Sequence, residues 1–221
     1  MGIIASRRTY GQNPFLILTE KGETGRPAEL RPQKYWNRRW NEIWYVLVYD
    51  IPESSRKYRN SLRMILRKLR MGSLQGSVWV SPNDIRPEFD DLDTAAGVGI
   101  YAFLFESRTV LGQCDTDIVQ NAWDFEAIGQ LQSAYISVFQ ENLTRLSENE
   151  IPNEEILDLA RYELATYLSV MRPDPLLPRA LWPSGYLGEE TFNAHRDFVK
   201  AARSKLRRGS NVQQWVLGRA G

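Results

Sequence analysis

Residues 42–53, Glu-Ile-Trp-Tyr-Val-Leu-Val-Tyr-Asp-Ile-Pro-Glu, decide the fold. Ile43 to Tyr49 is an unbroken apolar run, β-branched and aromatic except at Leu47, which favours a strand. Asp50-Ile51-Pro52 stops it, and Ser54 or Ser55 can cap a helix beginning beyond them. Tyr58, Leu62, Ile65, Leu66 and Leu69 then recur at helical spacing and form one apolar stripe. The other face carries Arg56, Lys57, Arg59, Arg63, Arg67, Lys68 and Arg70. Gly72 falls where the glycine just past a helix end belongs. Leu74 to Val80 predicts a strand, or two short ones divided at Gly76, and Ser81 to Asp84 a turn. Pro87 to Ala96 predicts a short acidic helix, and Val98 to Glu106 another strand. This order fits a split β-α-β unit, so residues 40–114 are expected to form one ferredoxin-like α+β domain.

Outward from that domain the period changes. Residues 115–208 predict a helical C-terminal domain. Its first helix would bury Ile128, Leu131, Tyr135, Val138 and Phe139. Leu143 to Asn153 is a polar break. A second helix, opened by Pro152, would bury Leu157, Ala160, Leu164, Tyr167, Leu168 and Met171, and Arg172-Pro173-Asp174-Pro175 ends it. A third, Glu189 to Leu206, would bury Phe192, His195, Val199, Ala202 and Leu206. Residues 209–221 form a tail that can dock through Trp215. Upstream, residues 1–39 are irregular, with one short strand at Phe15 to Thr19, and look like the end of a domain with a linker after it.

The 221 residues are 43% hydrophobic and 11% aromatic, too apolar for an intrinsically disordered chain. The longest apolar run, Ile43 to Tyr49, is far short of the roughly 20 residues that span a bilayer. The first residues lack the apolar core of a signal peptide, so a soluble, cytoplasmic protein is expected, without membrane contact. Cys114 and His195 are the only residues of their types. They exclude an internal disulfide framework, a cysteine-based zinc cluster and a histidine-rich metal site within one chain. Net charge is only +1, but residues 1–40 carry eight bases against three acids, and residues 196–208 six against one. Such ends suit nucleic acid, or are simply solvated faces.

Few residues suggest chemistry. Asp50, at a strand end, can bind Mg²⁺ or Mn²⁺ with Glu53 or with a symmetry mate's Asp50; the plainer reading is a turn-forming aspartate. The basic face of residues 56–70 can meet phosphate, CoA or nucleic acid, or be a solvated or dimer-forming surface. The tryptophans (36, 40, 44, 79, 123, 182 and 215) are expected to be core or interface anchors. Cys114 reads as an inert thiol and His195 as a packing histidine.

Four stretches, in order, carry a family resemblance. They are Trp44 to Glu53 with its Arg-rich helix; Met71-Gly72-Ser73-Leu74-Gln75-Gly76-Ser77-Val78-Trp79-Val80-Ser81-Pro82; Trp123-Asp124-Phe125 with Tyr135 and Phe139; and Asp174-Pro175-Leu176-Leu177-Pro178-Arg179-Ala180-Leu181-Trp182-Pro183. Together they resemble the PaaX-like transcriptional regulators, repressors of phenylacetate and related aromatic catabolism. The resemblance implies an N-terminal winged helix-turn-helix, a ferredoxin-like centre and a helical C-terminal domain. It also implies a homodimer that binds operator DNA and releases it on binding an aryl- or acyl-CoA thioester, with no catalysis and no cofactor. Phe15 to Gly22 resembles only the end of the wing, and the groove-reading helix has no counterpart upstream. Arg7, Arg8 and Lys21 are the phosphate-contacting candidates beside that remnant. The alternatives are a metal-dependent nuclease centred on Asp50 and a dimerisation module without a ligand.

Overall fold

The computed structural model describes residues 4–7, 15–18, 27–96, 98–108, 112–148 and 151–206. Two strands, β1 (Ile4–Arg7) and β2 (Phe15–Leu18), pair antiparallel with Ile4 opposite Leu18 and Arg7 opposite Phe15. Only the second of these strands is apparent in the sequence. A short helix α1 (Pro32–Trp36) comes next.

The central elements are β3 (Trp44–Tyr49), α2 (Arg56–Lys68), β4 (Gly72–Gln75), β5 (Val78–Ser81), α3 (Arg86–Ala96) and β6 (Ala102–Ser107). The four strands form one antiparallel sheet in the order β4-β5-β3-β6, the ferredoxin-like arrangement. β3 is central, which explains the unbroken apolar run: the strand has to be apolar on both faces. Tyr45, Leu47 and Tyr49 point to one face, where Leu62 and Leu66 of α2 and Ile85 and Val98 around α3 complete a core. Trp44, with Val80 beside it, points to the other face, where α4 (Asp115–Ala122), Trp123, Leu177 and Leu181 cover it.

The interruption at Gly76 is a tight hairpin. Arg63 Nε–H donates to Tyr49 Oη at 2.8 Å, while Tyr49 O–H and Arg63 Nη2 both donate to the Gly76 carbonyl, at 2.9 and 2.8 Å. The helix end before β4 differs from expectation. Arg70, not a glycine, takes the left-handed position, with φ of 60°. Gly72 is instead the first residue of β4, and there it is needed for space. A Cβ built on it would lie 2.6 Å from Ala122 Cβ and 2.6 Å from Trp123 Cε2.

Three long helices follow among the described residues: α5 (Phe125–Glu148), α6 (Asn153–Met171) and α7 (Gly188–Lys205). The chain divides into two compact units, one of residues 33–127 with 173–186, the other of residues 1–32, 128–172 and 187–221. Thus α4 and the segment 173–186 belong with the sheet. Within the helical unit, α5 buries Ile128, Gln132, Tyr135, Phe139 and Leu146. Leu131 and Val138, expected inside, are each 46% exposed, so the buried stripe is rotated by about one residue from the apolar pattern. α6 buries Ile156, Ala160, Glu163, Tyr167, Val170 and Met171, and α7 buries Phe192, His195, Phe198 and Ala202. Among the described residues, no helix is long and apolar enough to cross a membrane.

Candidate functional site

The first feature lies on the sheet. Among the described residues β6 is an edge strand, paired only with β3. Its residues alternate: Ala102 and half-buried Leu104 join the helix-covered core. Phe103 and Phe105 face the other way, 63% and 53% exposed, with ring centroids 6.4 Å apart. They stand opposite Val48 and Val46 of β3, both half-buried, so the four side chains make one apolar strip on the β6 side of the face that α4 covers around Trp44, packed against that core at Val46 and exposed at the two phenylalanines. Charge lies on its helix-covered side instead, where Arg86 bridges Glu106 at 3.0 Å and Asp84 at 2.6 Å.

The second feature is the segment 173–186, which carries the Asp-Pro-rich stretch. It has no long element of its own, yet Asp174 to Pro178 are all buried. Polar anchors explain this. The Asp174 carboxylate accepts from Leu176 N–H and from Tyr186 O–H, each at 2.8 Å. Arg70 donates to the Asp174 carbonyl, and Trp123 Nε1–H to the Arg70 carbonyl at 3.2 Å. Leu176 holds a left-handed backbone with φ of 51°, rare for a branched side chain. Trp182 Nε1–H donates to the Leu177 carbonyl at 2.9 Å and packs edge-on against Trp36 at 5.6 Å. Tyr186→Phe removes a hydrogen-bond donor from a buried carboxylate; it should cost about 1–3 kcal/mol, read by urea unfolding.

The third feature is a buried polar group in the helical unit. Glu163 of α6 is 1% exposed. Its Oε1 accepts from Tyr135 O–H of α5 and from His195 Nδ1–H of α7, the latter at 2.8 Å. His195 stacks on Tyr167 with centroids 4.0 Å apart and an interplanar angle of 10°, and Tyr167 O–H donates to the Glu29 carbonyl at 2.6 Å. Burial, with the Glu163 charge beside it, pushes the Tyr135 phenol well above its ordinary range, so it stays a donor. The packing role expected of His195 thus includes a buried hydrogen bond. The sequence gives no sign of Glu163, a carboxylate on a buried helical stripe.

The structure also places the residues singled out from sequence. Asp50 is exposed and its N–H donates to the Tyr101 carbonyl at 2.9 Å. Glu53, its candidate co-ligand, is held by Arg59 at 2.7 Å and Arg56 at 3.9 Å. Among the described residues, no three His, Cys, Asp or Glu side chains gather to hold a metal. The basic face of α2 is largely engaged: Arg59 on Glu53, Arg63 on the Gly76 hairpin, Arg70 on Asp174, and Arg67 over the Trp79 ring at 6.0 Å. Cys114 is exposed and caps α4, its N–H donating to Asp117 Oδ2 at 2.9 Å and its thiol at 3.1 Å. These bonds hold the Asp117 carboxyl below the usual carboxylate range. Trp36, Trp44, Trp79 and Trp123 are buried anchors. Trp215, Arg8, Lys21 and the side chain of Arg7 lie outside the described residues.

Residues 37–119 match the family described as PaaX protein central Cas2-like domain. No curated protein matches the chain. Among solved structures, the uncharacterized protein Rv0674 from Mycobacterium tuberculosis is similar in fold, with a TM-score of 0.53 at 19% identity over 86% of this chain and 73% of that one.

Proposed function

We propose that this chain, whose residues 37–119 match the PaaX central Cas2-like domain family, is the dimerising and effector-responsive portion of a transcription regulator and has no catalytic role. The observation that carries this reading is the apolar strip of Phe103, Phe105, Val46 and Val48 at the free edge of the sheet. Two exposed phenylalanines side by side are poor solvent-facing residues. An edge strand also offers unpaired backbone N–H and C=O groups. A second copy of this chain satisfies both needs. A two-fold axis brings the same strip against itself, and edge strands related by that axis run antiparallel.

The full chain is expected to sediment as a dimer at micromolar concentration. Phe103→Asp with Phe105→Asp should weaken association about a hundred-fold or more, by burying carboxylates in an apolar contact, with the far-UV spectrum unchanged. A wild-type chain that is monomeric at about 100 μM sinks the dimer reading, since at that level even weak dimers form.

For the effector, aryl- and acyl-CoA thioesters should raise the melting temperature by about 5–10 °C at a hundred-fold excess over Kd. No shift with any thioester in a series from acetyl- to phenylacetyl-CoA counts against effector binding. In this reading Arg7, Arg8 and Lys21 contact DNA phosphates, and the protein works in the cytoplasm, where its DNA is.

A further inference from the structure

Within the sheet unit, the stretch after α1 meets the segment 173–186 at Arg38. Its side chain is half-buried, and every partner it has there is neutral. Nε–H donates to the Tyr35 carbonyl at 3.1 Å and Nη2 to the Leu176 carbonyl at 3.5 Å, while the guanidinium lies 4.9 Å from the Tyr35 ring centroid. A guanidinium has five N–H donors, so these bonds leave about three for water or a ligand. Among the described residues, no carboxylate pairs with Arg38. Burial pulls the guanidinium below its ordinary range, and only Tyr35 acts in the opposite direction. Arginine stays protonated even so, and a cation partly removed from water without a counter-ion is costly unless an anion completes it.

A second guanidinium is anchored on Asn37, the residue that precedes Arg38. Arg179 Nε–H donates to Asn37 Oδ1 at 3.1 Å, and its plane lies over the Trp182 ring at 4.5 Å. Residues 33–40 and 173–186 hold four bases, Lys34, Arg38, Arg39 and Arg179, and a single acid, Asp174. That acid is fully buried and bonded to Leu176 N–H and Tyr186 O–H. These two segments therefore carry more positive than negative charge, with Arg38 held by two carbonyls and the Tyr35 ring.

We propose that Arg38, with Arg179 anchored on the neighbouring Asn37, is an anion site that takes a phosphate group of a small phosphorylated ligand. It rests on the effector reading and deepens it: the phosphates of a CoA-type thioester are the groups it would hold. Planar guanidinia suit bidentate contact with phosphate oxygens. Half-burial of Arg38 favours a compact ligand over a nucleic-acid backbone, which is tracked by exposed side chains.

Calorimetric titration of the full chain tests this, in a buffer free of phosphate, with coenzyme A, phenylacetyl-CoA, pyrophosphate and a random-sequence DNA duplex as probes. The wild-type chain is expected to bind coenzyme A and pyrophosphate. Arg38→Gln and Arg179→Gln should each weaken both about ten- to hundred-fold, with Arg38→Lys in between. Ligand-free melting of each variant checks folding. If Arg38→Gln does not fold, the exposed Arg179→Gln decides alone. The site is overturned if the wild-type chain binds neither probe, if both glutamine variants bind coenzyme A as tightly as wild type, or if only the DNA duplex binds in an Arg38-dependent way. Phenylacetyl-CoA binding that survives both substitutions unchanged overturns this site and leaves the effector reading standing. Arg38-dependent pyrophosphate binding without any preference for the thioester over coenzyme A supports the site and removes the aryl-CoA reading.

Discussion

Glu163→Ala is expected to lower the unfolding free energy by about 2–6 kcal/mol, about 1–3 kcal/mol for each of two buried donors left without an acceptor. The carboxylate is 1% exposed and joins three helices through a single oxygen, which takes Tyr135 O–H from α5 and His195 Nδ1–H from α7. Its loss leaves two buried donors without their acceptor and a cavity between them. Neither donor can swing out easily. His195 is fixed by its 4.0 Å stack on Tyr167, and Tyr135 by rings on both sides, Phe139 at 4.7 Å and Tyr167 at 5.9 Å. Glu163→Gln keeps the shape and one acceptor oxygen, so it should cost about half as much or less, the loss being charge-assisted strength. Urea unfolding monitored by far-UV circular dichroism measures both. An alanine variant within about 1 kcal/mol of wild type would mean that the donors find water and that the group does not hold the helices together.

Legibility in the sequence depends on how local each signal is. The central strand is legible because a strand covered on both faces has to be apolar throughout, and Ile43 to Tyr49 is. The stripe of α2 is legible because one face packs on the sheet and the other meets solvent. On α5 the same logic misplaces two residues, Leu131 and Val138. There the interior takes Gln132, whose Nε2–H reaches Met171 Sδ at 3.9 Å, and polar content hides the true stripe. Helix α4 offers only Ile118, Val119 and Ala122 as buried positions, too few to show a period. The functional features are less legible still. Whether Arg63 or Arg38 is tied to a neutral carbonyl depends on residues 13 and 138 positions away, which no local pattern reports. A run of arginines reads the same whether its members are structural or open to a ligand. Phe103 and Phe105 look like ordinary strand residues, and only the sheet order, with β6 at an edge, exposes them.

Gly72→Ala should cost about 2–4 kcal/mol, at or above the usual range for an added methyl in a packed site. Backbone freedom is not the reason, since Arg70 already supplies the left-handed turn. The reason is proximity: the new methyl would sit 2.6 Å from Ala122 Cβ and 2.6 and 2.8 Å from two atoms of the Trp123 indole, well inside van der Waals contact. Retreat is hard for that indole, whose N–H is bonded to the Arg70 carbonyl at 3.2 Å and whose ring packs against Trp44 at 6.4 Å. Trp44 in turn ties α4 to β3 by donating to Asp115 Oδ1 at 2.8 Å. The methyl thus forces either α4 off the sheet or β4 off β5. Tryptophan fluorescence during urea unfolding reads the cost, and Gly76→Ala is the internal control. Its Cβ would meet nothing nearer than Arg63 Nη2 at 3.7 Å, so it should stay within about 1 kcal/mol of wild type. Trp123→Leu separates steric clash from any general intolerance of β4. In that background Gly72→Ala should cost clearly less, because one of the two groups it strikes is gone while the Ala122 contact remains; an undiminished cost would place the conflict at Ala122 and α4 instead.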